Sequence, residues 1–187
     1  MKKPELLLPA GSESCLRAAV NNGADAVYLG LNQFNARESA ENFNENNIFS
    51  AVKYCHDRNV KVYVALNTLI KNSELEKFFD LVSLAYSAKA DAVIIQDPCF
   101  IPIIKKSFPD LEIHMSTQSA ITNEYAIPDD VSRIILPREF SIEEISEISK
   151  NTKRVELLLQ WNVPLLFCCR WQKRKQRKMR TTMQETI

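Results

Sequence analysis

The chain has 187 residues, 45% hydrophobic and 25% charged, with a formal net charge of +1. That length supports one sizeable core, and the composition is that of an ordinary globular protein. No apolar run reaches the roughly eighteen residues of a membrane span, and the amino terminus MKKPELLLPAGS runs directly into a strand, so a membrane or secretion role is excluded and the cytoplasm is expected. Of the five cysteines (Cys15, Cys55, Cys99, Cys168, Cys169), only the last two are close in sequence, which gives neither a disulfide framework nor a CxxC metal knuckle.

Residues 5–8 read as a first strand, ended by Pro9-Ala10-Gly11. Ser12 then caps a helix whose inward stripe is Cys15, Leu16, Ala19 and Val20. Gly23 stops it. A second strand covers residues 26–29 and leaves through Gly30 into a loop with Asn32, Gln33, Asn35 and Arg37. Asn44 or Asn46 caps the next helix, with Ile48, Ala51, Val52 and Cys55 inward, and residues 60–66 form a β-branched third strand that delivers Asn67 and Thr68. Asn72 or Ser73 starts a helix with Leu75, Phe78, Phe79, Leu81, Val82, Ala85 and Tyr86 on its inner side.

A fourth strand over 91–95 delivers Gln96 and Asp97. After a short helix through Ile101, Ile103 and Ile104, a fifth over 111–115 delivers His114, Ser116, Thr117 and Gln118. Pro128, Asp129 and Asp130 leave too little uninterrupted chain for a normal crossover helix. The sixth strand, 133–136, delivers Arg138 and Glu139; Ser141 and Glu144 form a capping box for a helix with Ile142, Ile145 and Ile148 inward, and residues 155–159 are a seventh strand. Regular alternation of strand and helix means a parallel sheet, and this spacing favours an incomplete (β/α) TIM-type barrel of about seven strands over residues 1–159, followed by an irregular basic tail over 160–187.

In such a barrel the strand exits share one rim, where ligand chemistry collects. Ser12, Tyr28, Asn35, Arg37, Asn67, Gln96, Asp97, His114, Gln118, Arg138 and Glu139 are expected there. Polar groups at consecutive exits have no packing reason to be present, although Asn67 and Gln96 can also satisfy loop backbone, Arg138 and Glu139 can form an ion pair, and His114 can be a buried core histidine. Arg37 and Arg138 suit a carboxylate or phosphate, His114 and Glu139 are the proton-handling candidates, and Asn35, Asn67, Gln96, Asp97 and Gln118 are assigned to substrate binding. His56 faces outward and has no role. Cys99 and His114 follow neighbouring strands, which leaves a dyad open beside the reading of a packed thiol. No HExxH, G-x-S-x-G, Walker or dinucleotide loop is present.

The blocks ELLLPAGS, GADAVYLG with FNAR, VKVYVALNTL, DAVIIQDP, IHMSTQ and RIILPRE resemble, in that order, the amino-terminal barrel of peptidase family U32, the collagenase-like proteases. The family name implies peptide-bond hydrolysis. The resemblance also implies kinship with branches that hydroxylate transfer RNA bases, ribosomal RNA bases or a quinone precursor without oxygen, with prephenate as hydroxyl source in some. Those branches imply an iron-sulfur cluster on cysteines after the seventh strand, two of them spaced Cys-x-x-x-Cys. Here that region reads QWNVPLLFCCRWQKRKQRKMRTTMQETI instead, so no cofactor is expected in this chain.

Partners read from the sequence are RNA through the basic tail, a small carboxylate at the rim, and a second copy through exposed sheet edges. An RNA-binding module and an inactive, truncated product stand beside the enzyme reading. The genetic code gives the tail a different origin. Met183-Gln184 encodes ATGCA, which contains the cysteine codon TGC one nucleotide out of frame, and Met179-Arg180 does the same with a CG arginine codon, which places the two hidden cysteines at the family's spacing. Sequencing the coding DNA across codons 155 to 187 is expected to reveal this alternative frame; its absence there contradicts the frameshift reading.

Overall fold

The computed structural model describes residues 5–36, 41–137, 140–151 and 156–158. Arg37, Arg138, Glu139 and the basic tail over 160–187 lie outside the described residues. Seven strands form one sheet: β1 (Leu7–Pro9), β2 (Ala26–Gly30), β3 (Lys61–Leu66), β4 (Ala92–Ile95), β5 (Glu112–Met115), β6 (Arg133–Ile135) and β7 (Glu156–Leu158). They lie in sequence order and every neighbouring pair is parallel. This is the incomplete barrel expected from the alternation of apolar runs.

The crossovers carry α1 (Glu13–Asn21), α2 (Ile48–His56), α3 (Leu75–Ser87), α4 (Ile101–Ser107) and α5 (Ile142–Asn151). Ser12 caps α1 by accepting from the Cys15 amide, and Ser141 and Glu144 exchange the reciprocal bonds of a capping box at α5. Helix α2 starts one residue beyond the expected caps, at Asn47, whose Oδ1 accepts from the Asn44 amide. Between β5 and β6 stand only two 3-10 turns, Thr117–Ser119 and Glu124–Ala126, because Pro128 and the left-handed Asp130 leave no room for a helix. No helix among the described residues is long and apolar enough to cross a membrane.

Strand parity sorts the core into two layers. Val27, Leu29, Val62, Val64, Val93, Ile95, Ile113, Met115 and Ile134 face the helices and pack against Leu16, Val52, Phe78, Val82, Ile104 and Ile148. Each such aliphatic or aromatic side chain contributes roughly 1.5–3 kcal/mol on full burial. Two expected inward residues differ: Cys15 is exposed and Tyr86 is 38% exposed. In each helix the buried stripe is narrower than the run of apolar letters, with positions such as 16, 19 and 20 sufficing to cover the sheet.

The opposite parity faces the concave side, where Ala26, Ala92, Ile94 and Ile135 form a smaller apolar cluster around Tyr63. Across this lumen, Arg133 Nη1 lies 2.5 Å from Glu5 Oε1, and the Tyr63 hydroxyl donates to the same carboxylate at 3.1 Å. The guanidinium also lies over the Tyr63 ring, 5.3 Å from its centroid. This clasp joins the segment before β1 to the start of β6, so it holds the two sides of the curled sheet by side chains. Replacement of Glu5 by alanine is expected to lower unfolding free energy by about 2–3 kcal/mol in urea titrations. That is less than a fully buried pair, since Glu5 is 24% exposed. A change below about 0.5 kcal/mol, the range of an ordinary surface substitution, contradicts this role.

Candidate functional site

The carboxyl ends of the strands are joined by a network of side-chain bonds to backbone. Asn67, just after β3, accepts from the Ala36 amide through Oδ1 at 3.2 Å and donates through Nδ2 to Ser116 Oγ at 3.2 Å. It thereby links the loop after β2 to the exit of β5. Ser116 Oγ accepts from the Gln118 amide, and Ser119 Oγ donates to the Gln96 carbonyl at 2.7 Å. Asp97 Oδ1 accepts from the Cys99 amide at 2.9 Å and starts the turn leading into α4.

The loop after β2 is held as tightly. Asn35 is buried, donates through Nδ2 to the Leu31 carbonyl, and lies so close over Gly30 that a Cβ there would sit 2.7 Å from Asn35 Cγ. Any side chain at Gly30 therefore displaces Asn35. Phe34 takes the left-handed conformation, φ 59°, which is uncommon for an aromatic residue, and packs edge-on against Phe78 at 6.2 Å. Between this loop and the one after β3 opens a cleft of about 540 Å³, lined by Phe34, Asn35, Ala36, Thr68, Leu69, Lys71 and Glu74. Its size is in the range of ordinary ligand sites.

Of the residues assigned to the rim from sequence, Asn35, Asn67, Gln96, Asp97 and Gln118 stand at the strand exits. Asn35 lines the cleft, Asn67 holds the Ala36 amide of its wall without lining it, and Gln118 is exposed on the turn beyond. Ser12 serves as the cap of α1 and Tyr28 packs beside the lumen cluster. Arg37, Arg138 and Glu139 lie outside the described residues.

His114 does not stand on the rim. It occupies the lumen, 1% exposed, edge-on to Tyr63 at 4.6 Å. Neither ring nitrogen has a hydrogen-bond partner. Glu112 Oε2 is 3.5 Å from Nε2, beyond a hydrogen bond, and the ring is neutral, so the pair is not ionic. Burial, reinforced by Arg133 and then Lys61, lowers its pKa to about 3. Cys99 is exposed, its thiol raised by the Asp97 carboxylate, and it makes no hydrogen bond to His114; the two form no dyad.

Sequence reading missed the lumen clasp and the cleft residues Leu69 and Lys71. The parity of β6 carried the signal for the first, since Arg133, two residues before the inward Ile135, shares its face. Among the described residues no three His, Cys, Asp or Glu side chains are grouped to hold a metal. Cys15, Cys55 and Cys99 stand on separate elements, and Cys168 and Cys169 lie outside the described residues. The described side chains therefore do not fit a cluster.

Residues 11–160 match the model of the peptidase family named U32. A protein named tRNA hydroxylation protein P from Haemophilus influenzae is 36% identical over 83% of this chain and 35% of its own length. The 23S rRNA 5-hydroxycytidine synthase of Escherichia coli is 38% identical over 79% of this chain and 23% of its own. A protein named an uncharacterized protease from Methanocaldococcus jannaschii is 36% identical over 83% and 39%. The chain thus spans between about a quarter and two fifths of these relatives' length. Among solved structures, the U32 peptidase Mk0906 superposes with a TM-score of 0.62 at 16% identity, covering 84% of this chain and 70% of that one. A glycerophosphodiester phosphodiesterase from Parabacteroides distasonis gives 0.59 at 9%, covering 84% and 85%, a likeness of fold alone.

A neutral buried histidine makes the fold sensitive to acid. The unfolded chain takes up the proton near pH 6.5 and the folded chain only near 3, so stability is full above about 6.5 and falls as pH drops through that window. His114→Phe keeps an aromatic ring against Tyr63, and its stability measured by urea titration is expected to be flatter from pH 6.5 to 4. Identical pH profiles for the two proteins contradict this assignment.

Proposed function

Because the chain belongs to peptidase family U32, we propose that it is the barrel portion of an RNA-base hydroxylation enzyme, with the carboxyl rim as its substrate-binding face. The observation that carries this reading is the rim network itself. Asn67 fixes the β2 loop to the β5 exit, and Gly30 lets Asn35 close over the strand end, so the cleft wall is built before any ligand arrives. Such preorganisation lowers the ordering cost of binding. The likeness to proteins named for tRNA and rRNA hydroxylation supplies the substrate class.

Asn35 and Asn67 orient the substrate, Gln96, Asp97 and Gln118 border it, and Arg37 and Arg138 are its proposed anion partners. Glu139 remains the proposed proton-handling group. His114, neutral and enclosed, serves the lumen, since its nitrogens do not reach the rim surface. Peptide hydrolysis is the weaker reading: the relative named a protease shares the barrel, but the rim thiol Cys99, hydrogen-bonded to the Asp97 carboxylate, has its pKa raised, away from the nucleophilic thiolate.

Mass spectrometry of nucleosides from total RNA tests this directly. Removal of the gene is expected to abolish a hydroxylated nucleoside, wild-type protein to restore it, and Asn67→Ala to restore at most about a tenth, as misplacement of a binding wall costs one to two orders of magnitude. An unchanged nucleoside profile, with release of peptides from gelatin by the purified protein, contradicts the proposal.

A further inference from the structure

The β2–β3 cleft has two features that the rim network does not use. Leu69 is 73% exposed in its wall, an apolar side chain placed beside polar groups at the functional end of the sheet. Lys71, also exposed, makes no ion pair among the described residues. The carboxylate that could neutralise it is turned elsewhere: Glu74 Oε2 accepts from the Lys71 backbone amide at 2.8 Å, closing the turn before α3. The opposite wall is rigid, with Asn35 buried against Gly30 and the Ala36 amide held by Asn67.

Resting on the RNA reading above, we infer that this cleft seats one nucleotide of single-stranded RNA, its base against Leu69 and its phosphodiester at Lys71. A flat base covers exposed apolar surface, and an ammonium on a flexible stem pairs with a phosphate as a point charge. The 540 Å³ of the cleft is the size of a small-ligand site, enough for one nucleotide. A nucleotide so placed lies against the wall formed by Asn35, which its bond to the Leu31 carbonyl holds in place. Lys71 and Leu69 are thus binding residues, separable by the kind of energy each supplies.

Fluorescence anisotropy of a labelled single-stranded oligoribonucleotide with the full chain, over a series of salt concentrations, tests this. Lys71→Gln is expected to weaken binding about three- to tenfold and to make the log-log salt slope shallower by about 0.7, as loss of one phosphate contact on a single strand requires. Leu69→Ser is expected to weaken binding about threefold with the slope unchanged, and Lys77→Gln, on the exposed side of α3, to change neither. Equal behaviour of Lys71→Gln and Lys77→Gln overturns the cleft assignment while leaving the RNA reading intact, because binding then runs through other basic residues. Competition by uridine monophosphate as strong as by the oligomer overturns the strand assignment in favour of a free nucleotide. No binding of the oligomer by the wild-type chain overturns the inference and the RNA reading together.

Discussion

The Glu5–Arg133 ion pair, with the Tyr63 hydroxyl on the same carboxylate, is the contact on which the geometry of this sheet depends. An open parallel sheet is free to flatten, and the apolar cluster on its concave side here is small. Alanines at 26 and 92 leave space, and Tyr63, His114 and Arg133 fill it with polar atoms. A buried guanidinium demands a countercharge, and the nearest one comes from the far side of the curl. The need to satisfy Arg133 and the need to keep the strand exits close together are met by one contact.

Curling has a consequence at the other end of the strands. It brings the exits of β2, β3 and β5 near enough for one asparagine, Asn67, to reach both neighbours. The amino half of the lumen and the carboxyl rim then have different chemistry. Below, His114 is held neutral in a closed setting beside Arg133 and Lys61; above, the cleft is open, with an exposed ammonium, an apolar platform and fixed amides. The first is a structural plug, and the second can meet a ligand.

Most of the architecture was legible because it rests on local rules. The β-branched run of β3, the Ser12 cap, the Ser141–Glu144 box and the helix lost to Pro128 each follow from a few adjacent residues. Strand parity was harder. His114 and Arg133 lie near strand ends, and whether such a residue faces the rim or the lumen depends on how far the sheet curls, which no single strand encodes. Cys15 was placed inward because its neighbours are apolar, although Leu16, Ala19 and Val20 alone cover the sheet. Leu69 and Lys71 read as connection between strand and helix, since an exposed leucine acquires meaning only once the facing loop is in place.

The central claim is that RNA meets this protein on the carboxyl rim, between the loops after β2 and β3. Photo-crosslinking with a 4-thiouridine-containing oligoribonucleotide, followed by peptide mapping, addresses it most directly. The account predicts adducts on residues 34–36 and 68–74. Adducts confined to the basic segment beyond residue 159, or to the outer helical surface around Arg17 and Tyr54, contradict it.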